Sequence, residues 1–188
     1  MSDSESDSDA ETAVILDHLP HGRSDDDRPQ YQKQPLAYAV STDEFRLVEL
    51  TLAADADLSI GDTVDLGADL IETARTVAYG DLSGGAQSEL EYVIEDVIEE
   101  NEQRFVDFFN DARPITTRLH ALNLLPGIGK KLRNAILDER KRKPFESFEE
   151  LTDRVDGLHN PREVLADRIM EEIREEDLKY RTFARREE

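Results

Sequence analysis

The chain has 188 residues, no cysteine, and 44 Asp and Glu against 23 Lys and Arg, a formal net charge of -21; disulfides and thiolate metal sites are excluded, and the length allows one large domain or two small ones. Its longest apolar runs, residues 13–16 and 36–40, fall far short of the roughly 18 residues that a membrane-spanning helix needs. No basic or apolar leader stands in residues 1–11, so a cytoplasmic location without a membrane partner is expected.

Residues 1–11 have the low hydrophobicity and high charge of a disordered acidic tail. Five strand-like runs follow over residues 13–19, 36–41, 45–53, 63–66 and 70–79. Turn chemistry separates them: Ser41-Thr42-Asp43-Glu44 lies between the second and third, and Gly61-Asp62 precedes the fourth. Residues 20–34, with three consecutive aspartates, are too long and polar for a hairpin and are expected to form a mobile loop.

After Gly84-Gly85 the period changes. Leu90, Val93, Ile94, Val97 and Ile98 recur at helical spacing, and Phe105, Phe108 and Phe109 continue the stripe. Asn101 interrupts it, which predicts a break or two consecutive helices ending before Pro114. Ile115, Leu119 and Leu122 predict a short helix, residues 124–129 a tight turn, and Leu132, Ala135 and Ile136 a second helix. Ser147 with Glu150 three residues later reads as a capping box that opens a third helix through Phe148 and Leu151. Asn160-Pro161 with Glu163 opens the last one, with Asn as cap, Pro in the first helical position, and Val164, Leu165, Ile169 and Ile173 as its buried stripe. Mixed charges after Glu175 give no pattern.

The fold class is therefore α+β. The expected organisation is an acidic tail (1–11), a five-stranded β-barrel (12–84), a helical connector (85–112), an all-α domain (113–176) and a charged C-terminal tail (177–188).

Charge is distributed unevenly. Residues 1–30 sum to -7 and residues 31–112 to -15, whereas residues 113–143 hold nine basic side chains against Asp138 and Glu139. With 17 Arg, only 6 Lys, and 22 each of Asp and Glu, the whole resembles proteins of a high-salt cytoplasm, where an acidic surface stays hydrated and its self-repulsion is screened. Overall charge therefore does not exclude a nucleic-acid partner, and the basic island points to an anionic one. The alternative is a helix whose cations pair with neighbouring acids, and only two acids lie within the window.

The sharpest local signal is Leu125-Pro126-Gly127-Ile128-Gly129-Lys130-Lys131, two glycines around one apolar residue with a helix starting at once. Glycines let the backbone turn tightly and approach a ligand closely, and the free N–H groups of the following helix point outward with the positive dipole end behind them. Lys130, Lys131 and Arg133 would oppose that dipole, which makes sense when a phosphate sits between them and the helix N-terminus. Ile128 is expected to anchor the turn in the core.

The pattern Leu119, Leu122, Leu125, Gly127, Ile128, Gly129, Lys130, Ala135 and Ile136, followed by Lys143-Pro144-Phe145 and Ser147 to Leu151, resembles the helix-hairpin-helix motif. That resemblance implies a backbone phosphate of DNA or RNA held without reading the bases. A second, degenerate copy is similar at Val155-Asp156-Gly157-Leu158-His159-Asn160, where Gly157 aligns with Gly127 and Leu158 with Ile128. His159 replaces the second glycine and Pro161 has no N–H to offer, so this hairpin is expected to be structural or a weaker phosphate contact through Arg162. The motif also implies that hairpin carbonyls can hold a monovalent cation; no other cofactor is expected.

The five-strand part, with Leu58 to Val64 before its fourth strand, is similar to OB barrels that bind single strands or structured RNA. Tyr31, Tyr38, Tyr79, Arg46 and Arg75 are its candidate contacts, with core packing the competing role for Tyr38, and the acidic charge of the region leaves a protein partner as the alternative. Together these parts, with Ser88-Glu89-Leu90, the run Asn101 to Val106 and the run from Pro114 through Lys131, resemble an archaeal family of uncharacterised proteins, the domain of unknown function 655, over residues 12–176. The resemblance implies the fold and a nucleic-acid partner, and no reaction.

Enzyme readings find little. His18 and His21 near Asp17 and Asp25 to Asp27 are a weak metal candidate, since an acidic chain produces such spacing by chance. His120 reads as a hairpin or core residue rather than a base. No Ser-His-Asp signature is visible, and Gly84-Gly85 lacks the Gly-Lys-Ser or Gly-Lys-Thr of a P-loop. The expectation is a non-catalytic, largely sequence-independent binder of DNA or RNA phosphates. The alternative is a protein-binding adaptor of the repair, transcription or translation machinery.

Overall fold

The structure, a computed structural model, describes residues 11–23, 27–29 and 32–185. The expected tail thus lies, apart from Glu11, outside the described residues, as do Asp25, Asp26 and Tyr31. The chain divides into two compact units, one running up to Val93 and resuming at Ile173, the other spanning Ile94–Glu172.

The first unit is built on five strands, β1 (Thr12–Leu19), β2 (Leu36–Ser41), β3 (Leu47–Leu52), β4 (Thr63–Asp65) and β5 (Ile71–Thr76). They form an antiparallel sheet in the order β4-β1-β2-β3-β5, curled into a half-barrel. Period-two alternation sends Ala13 and Ile15, Ala37 and Ala39, Val48, Leu50 and Leu52, and Val64 to one face, where Leu58 joins them in a closed apolar core. Three of these are alanines on the two neighbouring strands β1 and β2, which keeps the interior of a tightly curled sheet small enough to fill. Val14, Leu16, Tyr38, Val40 and Leu47 point the other way and are buried as well. Burial on both faces is why β1 and β2 read as unbroken apolar runs. β5, by contrast, is an exposed edge bearing Glu72 and Arg75, charges of the kind that discourage edge pairing.

A register shift in β1 between Ile15 and Asp17 turns the Asp17 carboxylate toward the start of helix α1 (Gly84–Glu100). Asp17 Oδ2 accepts the Ser83 hydroxyl at 2.6 Å, and Ser83 Oγ in turn accepts the Ala86 N–H at 3.1 Å as the helix cap. A Cβ on Gly85 would stand 3.0 Å from the same carboxylate oxygen. Gly84-Gly85 therefore serves helix entry under a carboxylate. Residues 175–185, beyond the last helix, carry no strand or helix, yet Arg181 donates to the carbonyls of Glu175 (2.6 Å), Glu176 (2.9 Å) and Leu178 (3.2 Å). Ala184 is buried, and Arg185 N–H donates to Glu44 O at 3.0 Å, fastening this end to the β2–β3 turn.

The second unit is helical. α1 ends before Asn101, whose side-chain amide donates to Val97 O at 2.8 Å, and α2 (Glu102–Asp111) restarts at once, so the two-helix form of the expectation holds. α2 buries Phe105, Val106 and Phe109, while Phe108 is only half-buried. Arg140 donates to Phe109 O and Ala112 O at the end of α2, a cation on its negative pole. α3 (Lys130–Arg142), α4 (Phe148–Arg154) and α5 (Pro161–Arg174) follow. Arg154 links two of them, donating to Glu139 O at 2.6 Å and Lys143 O at 2.7 Å at the end of α3, and to Glu150 on α4 at 2.6 Å. That last bond holds the Glu150 carboxyl below the usual carboxylate range.

Two local expectations are corrected. The helix predicted from Ile115, Leu119 and Leu122 does not form; residues 114–120 make a loop closed by a Pro114–His120 bridge, and only a 3-10 turn, Ala121–Leu124, precedes the glycines. Thr116 Oγ1 accepts the N–H groups of Arg118 (3.2 Å) and Leu119 (3.0 Å), taking donors that a helix would use. The capping box at α4 is half made: Ser147 Oγ accepts the Glu150 N–H at 3.0 Å, but Glu150 reaches one residue further back, to the Glu146 N–H at 3.2 Å. In α5 the stripe of Leu165, Ile169 and Ile173 is buried and Val164 half-buried, with Arg168 and Glu172 sealed among them as an ion pair at 2.9 Å.

Candidate nucleic-acid interface

The glycine turn grows from the 3-10 segment. His120 Nδ1 accepts the Leu122 N–H at 3.1 Å, Leu125 N–H returns to Leu122 O and Ile128 N–H to Leu125 O, both at 3.2 Å. Leu122, Leu125 and Ile128 are buried, so Ile128 pins the turn as the sequence predicts. Gly127 sits at φ +80°, a left-handed conformation that needs glycine. Gly129 differs, with φ -90° and ψ -169°, which any residue adopts, and a Cβ there would meet nothing within 4 Å. Nothing within the described residues therefore demands glycine at 129.

α3 begins immediately. Arg133 N–H is its first bonded donor, to Gly129 O at 2.9 Å; among the described residues no acceptor meets the N–H groups of Lys130, Lys131 and Leu132. Lys130 and Lys131 are exposed, and no acidic residue occupies the first turn. Arg133 has another place than the sequence assigns it. Its guanidinium donates to Asn123 Oδ1 at 2.9 Å while the Asn123 amide donates to Ile128 O at 3.0 Å. The pair is a latch across the hairpin, and Arg133 holds the turn in shape as well as lending it charge. Sequence reasoning missed Asn123; its one signal is an amide residue within the 3-10 turn, next to two leucines.

The second hairpin repeats the backbone. Gly157 sits at φ +90°, Leu158 N–H returns to Val155 O at 3.3 Å, and Val155 and Leu158 are buried. It is one residue longer. Val164 N–H bonds Asn160 O as Arg133 N–H bonds Gly129 O, so Asn160, at φ +47°, takes the cap position of Gly129 and His159 is the added residue. Arg162 is held by Glu99 at 2.8 Å, and the groove beside it, about 420 Å³, is lined by Glu95, Glu99, Glu102, Glu149 and Glu163.

The candidates on the sheet are engaged. Tyr38 is buried, which raises its hydroxyl above the usual tyrosine value, and Arg23 pairs with Glu49 alongside. Arg75 also pairs with Glu49, at 3.1 Å, and Arg46 pairs with Glu11 at 2.5 Å; Tyr79 is half-buried. Among the described residues no three His, Asp or Glu side chains are grouped to hold a metal ion, and no helix is long and apolar enough to cross a membrane.

The family described as "Protein of unknown function (DUF655)" matches residues 9–185. The chain belongs to this family. It is 37% identical over 178 residues to the uncharacterised protein MJ0038 of Methanocaldococcus jannaschii, covering 92% of this chain and 79% of that protein. The crystal structure of Af1531 from Archaeoglobus fulgidus, of the same family, is similar at 41% identity with a TM-score of 0.86, over 93% of this chain and 99% of the other. In this DUF655 chain the exposed basic helix start thus stands on an α+β scaffold shared with an archaeal relative of known structure.

Proposed function

We propose that this DUF655 protein is a non-catalytic nucleic-acid-binding protein that holds backbone phosphates of DNA or RNA at the Gly127–Gly129 turn, largely independently of sequence. The observation that carries the reading is the start of α3, where the Lys130, Lys131 and Leu132 N–H groups find no acceptor among the described residues and stand beside two exposed lysines. Gly129 supports it: glycine where the fold does not require one leaves the backbone open to close approach by a ligand. The matching backbones at Gly127 and Gly157 favour a tandem helix-hairpin-helix reading, with a 3-10 turn in place of the first helix. The strand order β4-β1-β2-β3-β5 favours an OB-like barrel open between β4 and β5. We place the protein in a cytoplasm, and its acidic bias suits a high-salt one.

A protein-binding adaptor is the second reading, favoured by the acidic groove at the second hairpin, which repels phosphates and suits a basic partner. A titration against single- and double-stranded DNA and RNA over a range of KCl separates the two. The binder loses affinity as salt rises, and Lys130→Glu with Lys131→Glu abolishes binding on every sequence alike. Wild-type protein that binds none of the four ligands would overturn the first reading.

A further inference from the structure

The loop over residues 114–120, which replaces the predicted helix, leaves a groove of about 260 Å³ between itself and the flank of α3. Thr116, Thr117, Arg118, His120, Arg133 and Asn134 supply its polar lining, and among the described residues no carboxylate lines it. In a chain with 44 acidic residues, a cleft walled by hydroxyls, guanidinium groups and an imidazole is an unusual local composition. Arg118 and Thr117 are exposed at its mouth.

His120 supplies an independent pointer to a ligand. The residue is more than nine-tenths buried. Nδ1 accepts the Leu122 N–H, which places the ring proton of the neutral imidazole on Nε2. Burial first, then the charges of Arg140 and Arg133, hold this histidine below its ordinary value, so it is neutral at pH 7. Nε2–H is thus a donor, and no acceptor among the described residues receives it. In a cleft of further donors, an N–H that no acceptor among the described residues receives suits an acceptor-rich anion brought from outside.

The groove and the hairpin share α3. Lys130 opens the helix, and Arg133, Asn134 and Leu137 follow along the groove side, the first two about one helical turn, roughly 5 Å along the axis, from the start of the helix. We infer that this groove is a second phosphate contact, in which Arg118, Thr117 and His120 Nε2–H receive the phosphodiester next to the one held at the Gly127–Gly129 turn. The inference rests on the hairpin being a phosphate site. It gives the protein two successive contacts on one strand, and it assigns a role to the loop that the helix-hairpin-helix pattern does not include.

The test is fluorescence anisotropy with labelled oligothymidylate, oligouridylate and a short DNA duplex over a KCl series, comparing wild type, Arg118→Gln, and Lys130→Glu with Lys131→Glu. Arg118→Gln is expected to lower affinity on the order of tenfold. It should also make the decline of log affinity with log salt shallower by about 0.7 on single strands or about 0.9 on duplex, the share of one phosphate. The His120 ring signals, followed by NMR, should move when the preferred probe is added to wild type. If the lysine variant loses binding while Arg118→Gln keeps wild-type affinity and slope and the His120 signals stay still, the groove is not a phosphate contact and the hairpin reading survives. Wild-type protein that binds no probe, or a lysine variant that binds like wild type, overturns the hairpin reading and this inference with it.

Discussion

Gly127 and Gly157 take nearly the same left-handed backbone, φ +80° and +90°, each two residues after a buried apolar side chain and one before another. Around that shared turn the surfaces diverge. The first opens onto free N–H groups, exposed Lys130 and Lys131, and a glycine that the fold does not require. The second leads into Pro161, which has no N–H, and its one cation, Arg162, is held by Glu99 in a groove of carboxylates. The left-handed glycine is thus a device for joining helices, common to both. Anion binding needs what is added to it: unsatisfied donors, unpaired cations and the absence of acid.

The glycines break or sharpen this contrast most strongly. Gly127→Ala and Gly157→Ala should each destabilise by about 1–2 kcal/mol, the cost of a left-handed conformation for a residue with a Cβ. Only the first should affect nucleic-acid binding. Gly129→Ala should cost at most about 1 kcal/mol, the difference between the two residues as helix caps, yet lower affinity on the order of tenfold by standing where a phosphate approaches. Thermal unfolding and anisotropy on the three variants check both halves. Binding that falls equally for Gly157→Ala and Gly127→Ala, with both proteins folded, would erase the distinction between the hairpins.

What could be read in the sequence follows the same division between local and non-local causes. All five strands lie within the predicted runs to within a residue or so at most ends, because turn signals such as Gly61-Asp62 and the Ser41–Glu44 tetrapeptide are local chemistry. The restart at Asn101 and the buried Ile128 were legible for the same reason. The 114–120 loop was not, since apolar spacing at Ile115, Leu119 and Leu122 fits a helix, whereas the Arg118 and Leu119 N–H groups bond the Thr116 hydroxyl and Leu119 O turns back to accept from Ile115 and Thr116. The Asn123–Arg133 latch joins residues 10 positions apart across the turn and the Arg162–Glu99 pair residues 63 apart, and no periodicity announces either. Asp17 pairs with Ser83 across 66 positions, so the sequence, which excludes a P-loop at Gly84-Gly85, gives no sign that the neighbour of Gly85 in space is a carboxylate.

A smaller effect should appear on acidification. His120 has its proton affinity depressed in the folded protein, by burial and then by Arg140 and Arg133. The unfolded chain therefore binds this proton first as pH falls. Stability is unaffected well above about pH 6.5, then declines as pH drops through the window down to the folded value. Protonation also removes the Nδ1 acceptor for Leu122 N–H, a loss of about 1 kcal/mol at the base of the first hairpin. His120→Asn, whose side-chain oxygen can accept the same N–H, should flatten the decline between pH 7 and 5. An unchanged pH profile in this variant would show that His120 is not the titrating group.

The smallest expected effect belongs to the second hairpin's cation. Arg162 is 45% exposed and its partner Glu99 67%, so their ion pair is screened by solvent and should contribute no more than about 0.5 kcal/mol. Arg162→Ala should therefore leave the unfolding temperature nearly unchanged. If the carboxylate groove keeps nucleic acid away, it should also leave affinity and salt slope unchanged, in contrast to Lys130 and Lys131. A shallower salt slope in Arg162→Ala would mean that Glu99 releases the guanidinium to a phosphate, and the two hairpins would then act as a pair. Glu99→Gln sharpens the point from the other side, because freeing Arg162 should strengthen binding only if a phosphate comes within its reach.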